Sequence, residues 1–231
     1  MSERAVAWCF AFAAIPLQSK AAYHFNGYLP DRKGKERLFM PQREPTVRLP
    51  GVPYAVSNTG PLISAFQSDS FSLLTRIFAK IHVPVACIAE LETHGWEREV
   101  QAVAPRLVPM KLTVNEEQRA LTFARQIAQH PDTDDQVAEN HQGEAQAIVL
   151  ALRAEYRDNV LLLDELAARA IAKEAGLKLS GFPGALLLAT RYGLISADEL
   201  KARLETCRQQ GTHYGATFIQ QVYLMAKTGG R

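Results

Sequence analysis

The sequence predicts an α/β domain built on a mainly parallel sheet, a Rossmann-like three-layer α/β/α sandwich, over residues 54–231. Two observations carry that expectation. From Tyr54 onward, short apolar runs alternate with amphipathic helical segments, the pattern of successive βα units around a parallel sheet. Two of the runs end in a polar residue, Asn58 and Asp164, at the strand ends where such sheets gather their chemistry. No internal repeat is evident.

The elements follow in order. Tyr54–Ser57 is apolar enough for a buried strand and runs into the turn Asn58-Thr59-Gly60-Pro61. Pro61 suits the first turn of a helix, which continues through Leu62, Ile63 and Phe66. A second helix, Phe71–Lys80, places Leu74, Ile77 and Phe78 on one face. Ile81–Val83 reads as a strand, and Pro84 opens a helix Val85–His94 that Gly95 ends. Leu107–Leu112 reads as a strand. Asn115 is expected to cap a helix reaching Gln129, with Glu116 and Glu117 in the first turn, where the helix dipole favours negative charge. Residues 130–141 are polar and loop-like. Gln142–Tyr156 is expected to be helical, with Ala145, Ile148, Val149 and Leu152 on one side. Val160–Leu163 is a continuous apolar strand ending at Asp164; the helix Glu165–Ala175 follows and stops at Gly176. Leu177–Leu179 is a further short strand. Helices Pro183–Tyr192, Ala197–Gln209 (capped by Ser196) and Ala216–Ala226 finish the chain.

Composition bounds the function. Hydrophobic residues make up 47% and charged residues 22% of the 231 residues, as in ordinary globular domains, which excludes wholesale disorder and fibrous repeats. Three widely spaced cysteines (Cys9, Cys87, Cys207) cannot form a disulfide framework or a four-cysteine zinc site. No uncharged apolar run reaches the ~18–20 residues of a membrane span, so the expectation is a cytoplasmic protein without a membrane partner. The net charge of +2 is uneven: residues 1–53 hold eight Lys/Arg and four Asp/Glu, leaving the remainder slightly acidic. The break near residue 53 predicts an N-terminal extension, poorly ordered, ahead of the domain. Its apolar stretch AVAWCFAFAAIPL (5–17) partly matches a signal peptide. Its basic residues suit an arm that attracts phosphate. A non-folding extension upstream of a start at Met40 is the third reading.

The informative residues are acids set in apolar patterns. Glu90 lies in VPVACIAELE, Glu144 opens the helix in HQGEAQAIVLALR, and Asp164 ends the strand VLLLD with Glu165 behind it. Hard divalent cations take oxygen ligands, typically a few carboxylates with water and substrate phosphate. Carboxylates converging at one sheet edge repel until a cation binds, and that cation can activate water and stabilise a phosphodiester under attack. Singly, each acid has a plainer reading: Glu90 and Glu144 as exposed helix positions, Glu165 as a first-turn acid, Asp164 as a cap.

Their order and spacing raise the signal. AVSNTGPLISA (55–65), VPVACIAEL (83–91), GEAQAIVLAL (143–152), LLLDELAARAIAKEAGL (161–177), SGFPGALLLATRYGLI (180–195) and QQGTHYGATFIQQVY (209–223) together resemble a PIN domain, specifically the prokaryotic PIN-like branch of largely uncharacterised nucleases, similar to VapC-type toxins. The resemblance implies an acidic pocket holding Mg²⁺ or Mn²⁺ and hydrolysis of single-stranded RNA, often by a toxin paired with an antitoxin protein. It also implies a homodimer. Carried over by position, the catalytic and metal-binding set is Asn58, Glu90, Glu144 and Asp164, with Glu165 as a supporting acid. Thr59 would orient the first ligand, and Arg169 would meet an acid or phosphate; both are candidates for nucleic-acid contact. The chain departs from the family pattern at its first position, where Asn58 stands for the expected Asp and removes a full charge. Gly60 likewise replaces the usual hydroxyl. The rival reading is therefore a catalytically inactive PIN-like module that binds RNA or protein.

Other chemistries find no support. NTGPLI lacks the glycines of a dinucleotide fingerprint, and no P-loop occurs. The acids of residues 132–139 lack calcium-loop spacing. Cys87 sits among apolar helix residues and reads as core, and Trp96 as packing.

Overall fold

The structure is a computed structural model that describes residues 54–229; the readings made of residues 1–53 lie outside the described residues. Five strands form one sheet: β1 (Tyr54–Ser57), β2 (Lys80–Pro84), β3 (Leu107–Met110), β4 (Val160–Leu162) and β5 (Lys178–Ser180). All neighbours pair in parallel, in the order β3-β2-β1-β4-β5. Val56 of the central strand stands opposite His82 on one side and Leu161 on the other.

Alternation along the strands divides the core in two. Ala55, Ile81, Val83, Val160 and Leu162 point to one face, where they meet α1 (Thr59–Gln67), α2 (Phe71–Ile77), α3 (Val85–Thr93), α4 (Glu97–Val103), α8 (Phe182–Arg191), α9 (Ala197–Gln209) and α10 (Ala216–Thr228). Val56, Leu161, Leu163 and Leu179 point to the other, covered by α5 (Val114–Ala128), α6 (Gln142–Ala151) and α7 (Leu166–Glu174). The predicted α/β/α sandwich is the observed one. The strand interiors are mostly apolar because helices cover both faces of the sheet, while Lys80 and Lys178 begin their strands exposed.

Several boundaries shift for identifiable reasons. The cap of α5 is Thr113, not Asn115: the Thr113 hydroxyl accepts from the Glu116 amide while Glu116 reaches back to the Thr113 amide, a reciprocal pair that starts the helix two residues earlier. The helix expected over Gln142–Tyr156 ends at Ala151 and gives way to a 3₁₀ turn at Ala154–Tyr156. Between them Arg153 adopts an extended backbone, and its guanidinium pairs with Glu116 at 2.7 Å. The second helix ends at Ile77, because Phe78 turns extended and buries its ring on the way into β2. Helix α4 was not foreseen. Of its residues only Val100 is buried, so it carries almost no apolar periodicity. Gly176 (φ 81°) takes the left-handed conformation that ends α7 without side-chain strain.

Candidate active site

Strand order locates the site. β1, β2 and β3 step outward one way, and β4 returns to the opposite side of β1. The strand order therefore reverses between β1 and β4, the switch point at whose carboxyl-end crevice such sheets bind their ligands. Asn58 directly follows β1, and Asp164 lies just past β4. A methyl group on Gly60 would lie 4.0 Å from the Asp164 Cβ, so the Asp164 side chain stands beside the start of α1.

Three acids approach this edge from different elements. Asn58 is 3% exposed, and its Nδ2 donates to Glu144 Oε1 at 3.0 Å, joining β1 to the first turn of α6. Thr59 Oγ1 donates to Glu90 Oε2 at 2.6 Å, joining α1 to α3. Helix α6 can come this close to α3 because Gly143 lacks a side chain: a Cβ there would sit 3.3 Å from Glu90 Oε2 and 3.6 Å from Cys87 Sγ. Asp164 is held separately. Its Oδ1 accepts from the Phe182 amide at 3.0 Å and its Oδ2 from the Tyr214 hydroxyl at 2.9 Å.

The remaining candidates have other contacts. Both carboxylate oxygens of Glu165 cap α7, accepting from the Ala167 and Ala168 amides; the cap role expected of Asp164 for this helix falls to its neighbour. Thr59 is 3% exposed and orients Glu90 rather than Asn58. Arg169 Nη1 donates to the Leu163 carbonyl at 2.7 Å, and its charge lies near enough to favour ionised Asp164. Cys87 is fully buried, and burial pushes its thiol up to about 12, which suits a core residue and not a nucleophile. Trp96 stacks on Phe66 with ring centroids 5.6 Å apart. His141 is buried, and its Nε2 lies 2.7 Å from the Asp135 carbonyl.

The electrostatics favour a cation. Burial raises the Glu144 carboxyl above its ordinary range, and neighbouring Glu90 and Glu165 raise it further. Burial also raises Asp164, against the Phe182 and Tyr214 hydrogen bonds and Arg169, which lower it. Among the described residues, no three His, Cys, Asp or Glu side chains stand ready as a metal cage. The fit rests on a different observation. An ionised carboxylate only accepts hydrogen bonds, so the Asn58 amide nitrogen must face Glu144. The Asn58 Oδ1 is then left over, and it is a buried oxygen without a hydrogen-bond partner. Such an atom costs roughly 1–3 kcal/mol, a cost that a bound cation would remove. The donors at hand (an amide carbonyl and carboxylates) are all oxygen, the set that Mg²⁺ and Mn²⁺ prefer. These residues fit a hard divalent cation.

A parallel α/β/α sandwich with an acidic, oxygen-lined crevice at its switch point defines the class. A family model described as a PIN domain matches residues 54–228, and the chain belongs to that family. PIN domains are generally nucleases and typically use divalent metal ions, so the fold is of nuclease type. Comparison with curated proteins and with solved structures gave no match. Among the described residues no helix is long and apolar enough to cross a membrane.

Proposed function

We propose that this chain is a metal-dependent endoribonuclease that hydrolyses single-stranded RNA. The observation that carries the reading is the buried, unpartnered Asn58 Oδ1 beside Glu144 at the switch point of a PIN fold. Glu144, Glu90 and Asp164 would hold Mg²⁺ or Mn²⁺, with Asn58 Oδ1 as a neutral fourth oxygen. When bound, such an ion supplies positive charge to the scissile phosphate and lowers the pKa of an attacking water. The chain's own residues set the geometry. Asn58 fixes one Glu144 oxygen and Thr59 fixes one Glu90 oxygen. The Phe182 amide and Tyr214 hydroxyl orient Asp164, and Arg169 offers positive charge beside it. We further propose that the protein works in the cytoplasm as a homodimer, and as a toxin component held by an antitoxin protein.

The test is cleavage of single-stranded RNA by purified protein, with and without Mg²⁺ or Mn²⁺, comparing wild type, Asn58→Asp and Asp164→Ala. Metal-dependent cleavage that Asp164→Ala abolishes supports the reading. If Asn58→Asp is as inert as Asp164→Ala, the active form of the reading fails.

One observation favours a second reading, a catalytically inactive RNA- or protein-binding module. The Asn58 amide already satisfies one Glu144 oxygen by a hydrogen bond, a contact that an ionised aspartate could not make. That reading predicts RNA or partner binding without metal dependence and no cleavage by any variant.

A further inference from the structure

Asp164 is tied to a part of the chain remote from both β1 and β4. Tyr214 lies between α9 and α10, 5% exposed, with its ring 6.0 Å from that of Phe218. Its hydroxyl donates to Asp164 Oδ2 at 2.9 Å and lies 3.0 Å from Ser64 Oγ on α1. Proton counting orders this chain. A tyrosine hydroxyl has one hydrogen, and the carboxylate can only accept it. The Ser64 hydroxyl must therefore donate to Tyr214, so the hydrogen bonds run in one direction from Ser64 through Tyr214 to Asp164. The backbone beneath is fixed too, since the Ser64 carbonyl accepts from the Cys207 thiol at 3.2 Å and from Ser68 Oγ at 2.7 Å. On the other side of the carboxylate, Oδ1 accepts from the Phe182 amide. A Cβ on Gly181 would lie 2.3 Å from that same oxygen, so the carboxylate is seated against bare backbone.

We propose that Tyr214, itself oriented by Ser64, is a positioning residue that fixes the rotamer of Asp164 so that its outer lone pairs face the crevice. The C-terminal helical pair α9–α10 thereby contributes to a site whose other members come from β1, α3 and α6. The inference rests on the cation-binding reading above. It adds that the Asp164 contribution depends on a hydroxyl that never touches the ion or the RNA. Partners that orient a metal's ligands typically carry about ten- to a hundredfold in affinity or activity.

The experiment titrates Mn²⁺ against the full-length protein, following free Mn²⁺ by electron paramagnetic resonance. It uses wild type, Tyr214→Phe, Ser64→Ala, Asp164→Asn and the Tyr214→Phe/Asp164→Asn and Ser64→Ala/Asp164→Asn pairs. Tyr214→Phe is expected to weaken Mn²⁺ binding about tenfold, and Ser64→Ala to weaken it less. Tyr214→Phe should add nothing once Asp164 is Asn, because residues acting through one group are not additive. In RNA cleavage the same variant should lower kcat with KM little changed. Unchanged Mn²⁺ affinity in both Tyr214→Phe and Ser64→Ala overturns the positioning role while leaving the cation reading intact. An undiminished Tyr214→Phe effect in the Asp164→Asn background also overturns it, since the hydroxyl would then act elsewhere. A wild type that binds no Mn²⁺ overturns the cation reading and the positioning role with it. Should Tyr214→Phe not fold, the Ser64→Ala comparison in the two Asp164 backgrounds decides alone.

Discussion

Replacing Asn58 by Asp is the sharpest probe of the crevice, because it changes one atom's charge and almost no volume. In the wild type, Asn58 Nδ2 donates to Glu144 Oε1 at 3.0 Å. In the variant, two carboxylate oxygens would face each other at that distance. At an effective dielectric of about 20 their repulsion is roughly 5 kcal/mol. The molecule need not bear all of it, since one carboxyl can take up a proton. Protonating an ordinary glutamic acid at about pH 7 costs about 3.5 kcal/mol, which caps the penalty. Burial and nearby acids already raise the Glu144 carboxyl in the wild type, so part of that cost is present before the mutation. The variant should therefore lose about 2–3 kcal/mol in metal-free buffer, or roughly 5–10 °C in unfolding midpoint for a domain of this size.

Two dependences follow. The folded variant holds a carboxyl whose pKa lies above its unfolded value, so the folded state binds the extra proton. Stability is then lost as pH rises, and the gap to wild type should close as pH falls below about 4, where both states are protonated. Second, a divalent cation bound between the two carboxylates should reverse the loss. At about a hundredfold excess over its dissociation constant a ligand contributes about 2.7 kcal/mol, close to the whole deficit. The assay is thermal unfolding of wild type and Asn58→Asp, first in chelator and then across a Mg²⁺ or Mn²⁺ series. Equal midpoints in chelator together with equal metal-induced shifts would refute the assignment of this pair to a cation site.

Three further outcomes are expected. Gly181→Ala should destabilise the domain by about 2–4 kcal/mol in denaturant unfolding. Its Cβ would press on Asp164 Oδ1 at 2.3 Å, and that oxygen cannot yield without leaving the Phe182 amide. Glu165→Ala should cost about 1 kcal/mol through loss of the α7 cap while leaving Mn²⁺ affinity within about threefold, the difference between a cap and a ligand; a tenfold loss of affinity would restore Glu165 to the metal set. The Glu116–Arg153 pair holds the Glu116 carboxyl down at about 2. Its contribution is present above the unfolded carboxylate pKa of about 4.3 and is lost as pH falls toward the folded value. Glu116→Gln should flatten the acid limb of the stability profile in that window, and an unchanged limb would count against the pair.

The layered architecture and the local chemistry of the fold were legible, and the order of the strands was not. Strands such as Val160–Leu163 announce themselves because a fully covered sheet demands unbroken apolar runs. Asn58 and Asp164 were legible as strand-end polar residues for the same reason. The order β3-β2-β1-β4-β5 has no local signature, since it depends on which edge each crossover returns to. Helix α4 was missed because it buries one residue. The α5 cap was misplaced although Thr113 and Glu116 carry the reciprocal capping spacing, so that signal was present and outranked by the preference of Asn for caps. Tyr214 was not singled out, although it lies within the QQGTHYGATFIQQVY stretch that carries the resemblance. It sits in a loop without periodicity, about 50 residues beyond the carboxylate it touches, and only the folded chain brings the two together.

The site also separates two jobs that one carboxylate pattern had merged. Glu144 and Glu90 are each held by a single side-chain donor, Asn58 and Thr59, from the turn after β1. Asp164 is held by a backbone amide and a tyrosine from the C-terminal third of the chain. Glu165, next to it in sequence, is spent on capping α7. The turn that contains Asn58 is thus the common holder of the two glutamates, and a substitution there acts on both. An aspartate at position 58 would add charge and at the same time release Glu144 from its hydrogen bond, freeing that oxygen for a cation. Asparagine does the reverse: it stabilises the cation-free crevice by satisfying Glu144 internally, and leaves only its own Oδ1 unmet. The residue at position 58 therefore sets the balance between a crevice stable without metal and one that needs it. On the function proposed above, that balance, more than the number of acids, is what the comparison of wild type with Asn58→Asp reads out.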